Sequence, residues 1–234
     1  MSGSLFPRFW LTQSLAWLGG RLAFASQPRT LRRLHGFART EAQSQLELQR
    51  AAELCESSER RALYLRHALD EARHARAFAE QASRLSHALG KVETLRLDAP
   101  SEELFERWGE ARFLAFVHHA ERRGRLEFEV YGRLLRRLGR EPLARLFEGL
   151  VRDERQHEAY SARLLEELVG KSEARRALAW AARSETWRAV RRHGRRLARV
   201  AYAAAMLIVY ALLTPYALGF RWLSQPRRGL SKEA

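Results

Sequence analysis

An all-α fold with one membrane-length helix near the carboxy terminus is predicted by three features of the sequence. Apolar residues recur every three or four positions in four successive segments between Thr30 and Leu168. Ser57-Ser58, the stretch from Gly90 to Pro100, Gly139 to Pro142, and Gly170 punctuate those segments where turns are needed. Beyond them, Val200 to Phe220 contains no charged residue, and about 20 apolar residues are enough to cross a hydrocarbon core. The expected organisation is an apolar amino-terminal segment (1–28), a four-helix domain (29–170), a basic helix (171–199), a transmembrane helix (200–220) and a basic tail (221–234).

Residues 5–25 are apolar and aromatic, with Phe6, Phe9, Trp10, Trp17 and Phe24. Ala23-Phe24-Ala25 has the small-x-small form of a signal-peptide cleavage site. Gln13 and Ser14 interrupt the apolar run, Gly19-Gly20 breaks it, and Arg21 lies just ahead of the supposed cut. An amphipathic helix at a membrane surface, or one packed on the helical domain, is therefore expected instead of a cleaved signal.

Pro28 closes that segment, and a first long helix is expected from about Thr30. Leu34, Phe37, Glu41, Leu48, Ala52 and Cys55 fall on one stripe of it. Glu41 is the anomaly, because a lone Glu on such a face ordinarily reaches solvent at the stripe's edge. Ser57 and Ser58 punctuate the chain, and a second helix is expected to run from there to about Leu89, with the stripe Tyr64, His67, Glu71, His74, Phe78, Ala82 and Leu85. Ser101 reads as the N-cap of a third, followed by Glu102 and Glu103 where the helix dipole favours anions. That helix is expected to run unbroken to about Leu138 and to bury Trp108, Leu114, Val117, His118, Glu121 and Phe128. Gly124 lies one turn after Glu121, where helix propensity disfavours Gly. It either eases helix packing or leaves room for oxygen or substrate beside a metal held by Glu121. Gly139 closes the third helix and Pro142 opens the fourth, whose stripe is Leu143, Phe147, Leu150, Glu154, His157, Ser161, Leu165 and Leu168.

Two of these stripes carry the same run: Asp70-Glu71-Ala72-Arg73-His74 and Asp153-Glu154-Arg155-Gln156-His157. A Glu and a His three positions apart are neighbours on one helix face, with roughly 5–6 Å between Cβ atoms, so both can reach one cation. Glu41 precedes Glu71, and Glu121 precedes Glu154, by nearly equal lengths of chain. Half a helix, a turn and half a helix fill such a length, so antiparallel neighbours place each lone Glu level with the next Glu-x-x-His. Two such hairpins packed face to face converge on six ligands. The stretch between the hairpins is long enough to cross over along the domain, at roughly 3.3–3.6 Å per extended residue.

With these residues the chain resembles the ferritin-like di-iron carboxylate superfamily, which includes rubrerythrins, bacterioferritins, acyl-carrier-protein desaturases and ribonucleotide reductase small subunits. The resemblance covers about residues 30–170 and implies a ferritin-like four-helix bundle with a long crossover. It further implies that Glu41, Glu71 and His74 hold one metal and Glu121, Glu154 and His157 the other, with Glu71 and Glu154 bridging. Asp70 and Asp153 would each accept a hydrogen bond from the outer nitrogen of a ligand His. Two iron ions are the implied cofactor, with manganese the alternative, since carboxylate and imidazole suit both. His67 and His118, one turn from ligands, read as neighbours of the centre and not as extra ligands. His35, His87, His119 and His193 stay unassigned. Glu127, Glu129 and Glu158 read as solvated, with Glu158 also placed to serve as a seventh carboxylate.

The formal net charge is +15 with a pI near 11.1, and most of the positive charge is Arg. Nucleic acid, anionic lipid and acidic protein all suit that balance. Arg191, Arg192, Arg195, Arg196 and Arg199 stand beside the apolar stretch, so anionic headgroups are the expected partner and nucleic acid is not. Trp180 and Trp187 would help that segment lie on the membrane. Arg221, Arg227, Arg228 and Lys232 follow the span, and Tyr202, Tyr216, Phe220 and Trp222 suit interfacial anchoring. The alternatives are a buried core helix and a hairpin dipping into one leaflet, the latter suggested by the kink Pro215 would make. The larger Arg group predicts that the helical domain faces the cytoplasm. The single Cys55 excludes an internal disulfide framework and a Cys-rich metal site.

The expected function is that of a membrane-anchored di-iron oxygenase or oxidase. It would use O2 and an external electron donor to hydroxylate or desaturate a small-molecule or lipid substrate. The alternatives are a rubrerythrin-like ferroxidase or peroxide-reducing protein, and a non-enzymatic helical scaffold at the membrane. The resemblance is also compatible with a homodimer.

Overall fold

Pro28, expected to close the amino-terminal segment, instead occupies the first turn of the helix that follows. Its missing N–H is harmless there, and its fixed φ suits the helix. The computed structural model describes residues 16–90 and 103–223, all helical apart from short turns. Seven helices result: α1 (16–23), α2 (Gln27–Leu54), α3 (Ser58–Ala88), α4 (Leu104–Trp108), α5 (Glu110–Arg137), and a run Glu141–Leu223 that Gly170 divides into α6 (141–169) and α7 (171–223). The chain forms two compact units, Met1–Ala182 and Arg183–Ala234.

The helix ends have local causes. Ser57 caps α3, its hydroxyl accepting from the Arg60 N–H at 3.3 Å. Gly139 closes α5 with φ +67°, its N–H donating to the Arg136 carbonyl while the Arg140 N–H reaches the Leu135 carbonyl. That pair of bonds is a Schellman turn, and a residue with Cβ would be strained in it. The expected unbroken third helix is interrupted: Gly109 adopts φ +75° and ψ 163° and divides α4 from α5. Glu47 holds α4 in place, its buried carboxylate accepting the Leu104 N–H at 3.0 Å. The Ser101 cap and the expected crossover fall on residues outside the described ones.

Ring contacts fix the helix directions in the first unit. Phe37 on α2 stacks on Phe78 of α3 at 4.9 Å, and the two helices join through a turn at Cys55–Ser57, so they are antiparallel. Tyr64 lies 6.0 Å from Phe113, and Phe78 lies 5.7 Å from Phe128, so α3 and α5 run in the same direction. α6 runs opposite to α3, since Phe78 meets Phe147 while His67 meets Tyr160.

The core is two apolar layers. One gathers Phe24, Leu34, Phe37, Phe78, Phe128, Tyr131 and Phe147; the other gathers Leu48, Tyr64, Phe113, Leu114 and Leu165. On α2, α3, α5 and α6, the buried charged side chains between the two layers are Glu and His. The described part of the amino-terminal segment, from residue 16, joins the first layer: Phe24 is buried, and a Cβ on Gly20 would stand 2.8 Å from the Tyr131 ring, so Gly is what lets α1 approach. Phe147, fully buried among five aromatic rings, is the keystone of this layer. Phe147→Ala is expected to lower stability by about 3–5 kcal/mol, read as a shift of the denaturation midpoint.

The first unit also takes in residues 171–182, which the sequence assigned to a separate basic segment. Ala174 and Ala181 are buried, and Trp180 packs edge-on to Trp108 at 5.1 Å with Arg112 over its ring. Trp180 is therefore a packing residue of this unit, whereas Trp187, in the second unit, is 62% exposed. Within the second unit, Leu197–Leu218 forms a 22-residue helical stretch of mean hydropathy 1.8, none of it buried. It is long and apolar enough to span a membrane.

Candidate metal centre

Between the two apolar layers, α2 contributes Glu41, α3 contributes His67, Glu71 and His74, α5 contributes Glu121, and α6 contributes Glu154 and His157. All seven side chains are buried. Their ligand atoms fall into two groups, each lying within 4.8 Å: Glu41, Glu71, His74 and Glu154 in one, and His67, Glu71, Glu121 and His157 in the other. The six residues that the spacing selected thus meet in one place, with His67 added. Glu71 is common to both groups.

Each motif's Asp serves the other motif's His. His157 Nε2 lies 3.1 Å from Asp70 Oδ2, and His74 Nε2 lies 3.2 Å from Asp153 Oδ2. The α3–α6 pair is therefore laced by two reciprocal bonds in which Nε2 donates, so Nδ1 is the nitrogen turned toward the other carboxylates. Arg73 pairs with Asp70 from the outside. His67 spends its other nitrogen: Nδ1 is 2.5 Å from the Tyr160 hydroxyl, and Nε2 is 3.0 Å from Glu71 Oε1.

The Nδ1 atoms of His74 and His157 are buried and have no hydrogen-bond partner. Carboxylate oxygens nonetheless surround them. Glu154 is 3.5 Å and Glu71 3.8 Å from His74 Nδ1, and Glu71 is 3.4 Å and Glu121 3.8 Å from His157 Nδ1. Once they lose their protons, these two nitrogens and the three buried carboxylates beside them, with Glu41 in the same cluster, form a donor set for cations. Among the described residues no protein donor reaches those nitrogens, so the residues present fit a pair of metal ions.

The charge balance agrees. Burial, reinforced by the charge of Glu71, raises Glu41 well above the ordinary carboxylate range; burial and Glu121 do the same to Glu154. Burial also works against ionisation of Glu71, but the His157 and His67 rings outweigh it and bring Glu71 down to about 2. Glu121 is likewise held low against burial, chiefly by His67. Burial opposes charge on His157, yet Glu121 and Glu71 raise it to about 10. Protons on carboxyls and imidazoles thus neutralise the cluster, and cations binding there would displace them.

Other expected residues are placed differently. His118 Nδ1 donates to the Glu158 carbonyl at 3.0 Å, so its bond is to backbone and not to a cluster side chain. The Glu158 carboxylate accepts from Arg125 Nε at 2.7 Å and is thereby committed as an ion-pair partner. Glu127 bonds Arg33 and Tyr131, and Glu129 bonds Arg125, instead of standing free in solvent. Gly124 borders the centre: a Cβ there would lie 3.3 Å from Glu154 Oε2. Tyr160 was not foreseen, although its position one turn beyond His157 on the same helix was a usable signal.

Among known proteins, this chain matches no family model, no curated protein and no solved structure.

Proposed function

We propose that the chain is a membrane-anchored oxidoreductase whose first unit is a ferritin-like four-helix bundle holding two iron ions, with manganese the alternative metal. The observation that carries this reading is the pair of buried, partnerless Nδ1 atoms on His74 and His157, set among Glu41, Glu71, Glu121 and Glu154. The parallel course of α3 and α5 supports the crossover such a bundle needs. Bound there, the metals would supply redox chemistry toward O2 that side chains lack. The chain's residues hold and tune that centre. Asp70 and Asp153 fix the tautomer of the two histidines, and Tyr160 orients His67. Gly124 keeps the space beside the Glu154 carboxylate open. The apolar layers on either side keep water from the cluster and raise the strength of every charge interaction within it.

The substrate we infer is lipophilic, because the same chain carries the exposed Leu197–Leu218 span. Hydroxylation would consume one O2, two electrons and two protons per C–H bond, giving one C–OH and one water, with an external donor supplying the electrons. The span is a single-pass anchor, and Arg191, Arg195 and Arg199 meet anionic headgroups on the cytoplasmic side.

The test is to purify the full chain in detergent without oxygen, load it with Fe(II), and count metal per chain. O2 or peroxide is then added with and without a cell lipid extract. Two irons per chain and O2 consumption that requires lipid are expected. Turnover of free Fe(II) or peroxide without lipid would replace this reading by the ferroxidase or peroxide-reducing one. A chain that binds no metal would leave only a helical scaffold at the membrane.

A further inference from the structure

We propose that His67 is itself a metal ligand through Nε2, so that one position of the centre has two imidazoles and the other has one. This inference rests on the two-metal reading above and deepens it. Three imidazole rings enter the buried layer, and each follows the same rule. One nitrogen is tied to a protein oxygen outside the cluster, and the other is turned toward the carboxylates. His74 is tied to Asp153 and His157 to Asp70, both through Nε2. His67 is tied to Tyr160 through Nδ1, which leaves Nε2 facing inward.

Where that nitrogen points decides the matter. His67 Nε2 lies 3.0 Å from Glu71 Oε1 and 3.5 Å from Glu121 Oε1. Those two carboxylates are the ones flanking His157 Nδ1. The His67 and His157 rings are stacked at a tilt, with centroids 3.7 Å apart and planes at 33°, and the inner nitrogens of both lie beside the same pair of Glu residues. A His that merely buttressed Glu71 would need no second carboxylate in reach and no alignment with a neighbouring ligand ring. Among the described residues, the other group has a single imidazole, His74, with Glu41, Glu71 and Glu154.

The anchors differ too. Asp70 and Asp153 are carboxylates and make their rings more basic, whereas Tyr160 offers a neutral hydroxyl. His67 is therefore the weakest donor of the three, yet its position gains a second nitrogen. The two positions are inequivalent, and the one with two imidazoles has the greater preference for transition metals that favour nitrogen.

The experiment uses the full chain in detergent, loaded with Co(II), and counts coordinated histidines from nitrogen couplings, with ¹⁵N-histidine labelling to assign them. Three coordinated imidazoles over two ions are expected in the unsubstituted protein, a count that needs no variant to fold. His67→Gln should lower the count to two and weaken one of two Co(II) affinities by more than the roughly 10–100-fold that loss of an outer partner costs. Tyr160→Phe should leave the count at three and weaken the same affinity by only about 10-fold. Two bound ions with only two coordinated histidines in the unsubstituted protein would overturn the role of His67 and leave the two-metal reading intact. No bound Co(II) would overturn both.

Discussion

Replacing Glu71 with Gln is expected to abolish tight binding of both cations, whereas Glu41→Gln is expected to weaken only one. The reason is position. Glu71 belongs to both ligand groups and Glu41 to one. Gln keeps the shape of the side chain but cannot offer an ionised oxygen to two cations at once. In the folded protein Glu71 is ionised, held at about 2 against burial by the His157 and His67 rings, so the substitution removes a charge that is present. The readout is metal per chain after desalting, paired with thermal unfolding in excess metal. A cation at a thousand times its Kd stabilises the folded state by about 4 kcal/mol, and that increment should vanish in Glu71→Gln. Unfolding without metal checks that the variant still folds. A Glu71→Gln protein that retained two ions per chain would show that the shared carboxylate is not a ligand.

The second large effect is expected in the other unit. Introducing Arg at both Ile208 and Leu212, near the middle of Leu197–Leu218, should move the protein out of the membrane fraction. Each Arg at the centre of a membrane helix costs about 2.5–3.5 kcal/mol on the insertion scale, so the pair costs about 5 kcal/mol or more. Both side chains are exposed in the structure, at 62% and 65%, so no protein packing is lost. The measurement is the share of protein resisting an alkaline wash of membranes. Leu69→Arg, at an exposed site on α3 in the first unit, is the control and should leave that share unchanged. Equal retention of the doubly substituted and the unsubstituted protein would rule out a spanning anchor.

Much of the fold is local and could be read directly. The limits of α3, from the Ser57 cap to Ala88, follow from a hydroxyl satisfying a free N–H and an apolar stripe of helical period. The stripes on α2, α3, α5 and α6 named the buried residues because burial repeats with the helix turn. Reading failed where conformation depends on a distant partner. Gly109 breaks the third helix, and α4 is held by Glu47, far earlier in the chain. Trp180 looked like a membrane-facing residue because nothing near it in sequence reveals Trp108. Arg125, Arg33 and Tyr131 engage carboxylates that looked solvated, since an ion pair across helices leaves no trace in periodicity.

The site divides in the same way. Glu71 with His74, and Glu154 with His157, are selected by sequence because three residues on a helix set their distance whatever the helix packs against. Glu41 and Glu121 were put level with them by a different reading, the matched chain lengths Glu41 to Glu71 and Glu121 to Glu154 with antiparallel neighbours. What only the tertiary structure decided is the pairing across helices: Asp70 with His157 and Asp153 with His74, exchanged between motifs, and His67 turned toward Glu71 and Glu121. A helix fixes which of its residues share a face, but the neighbour it packs against fixes which atoms that face will meet.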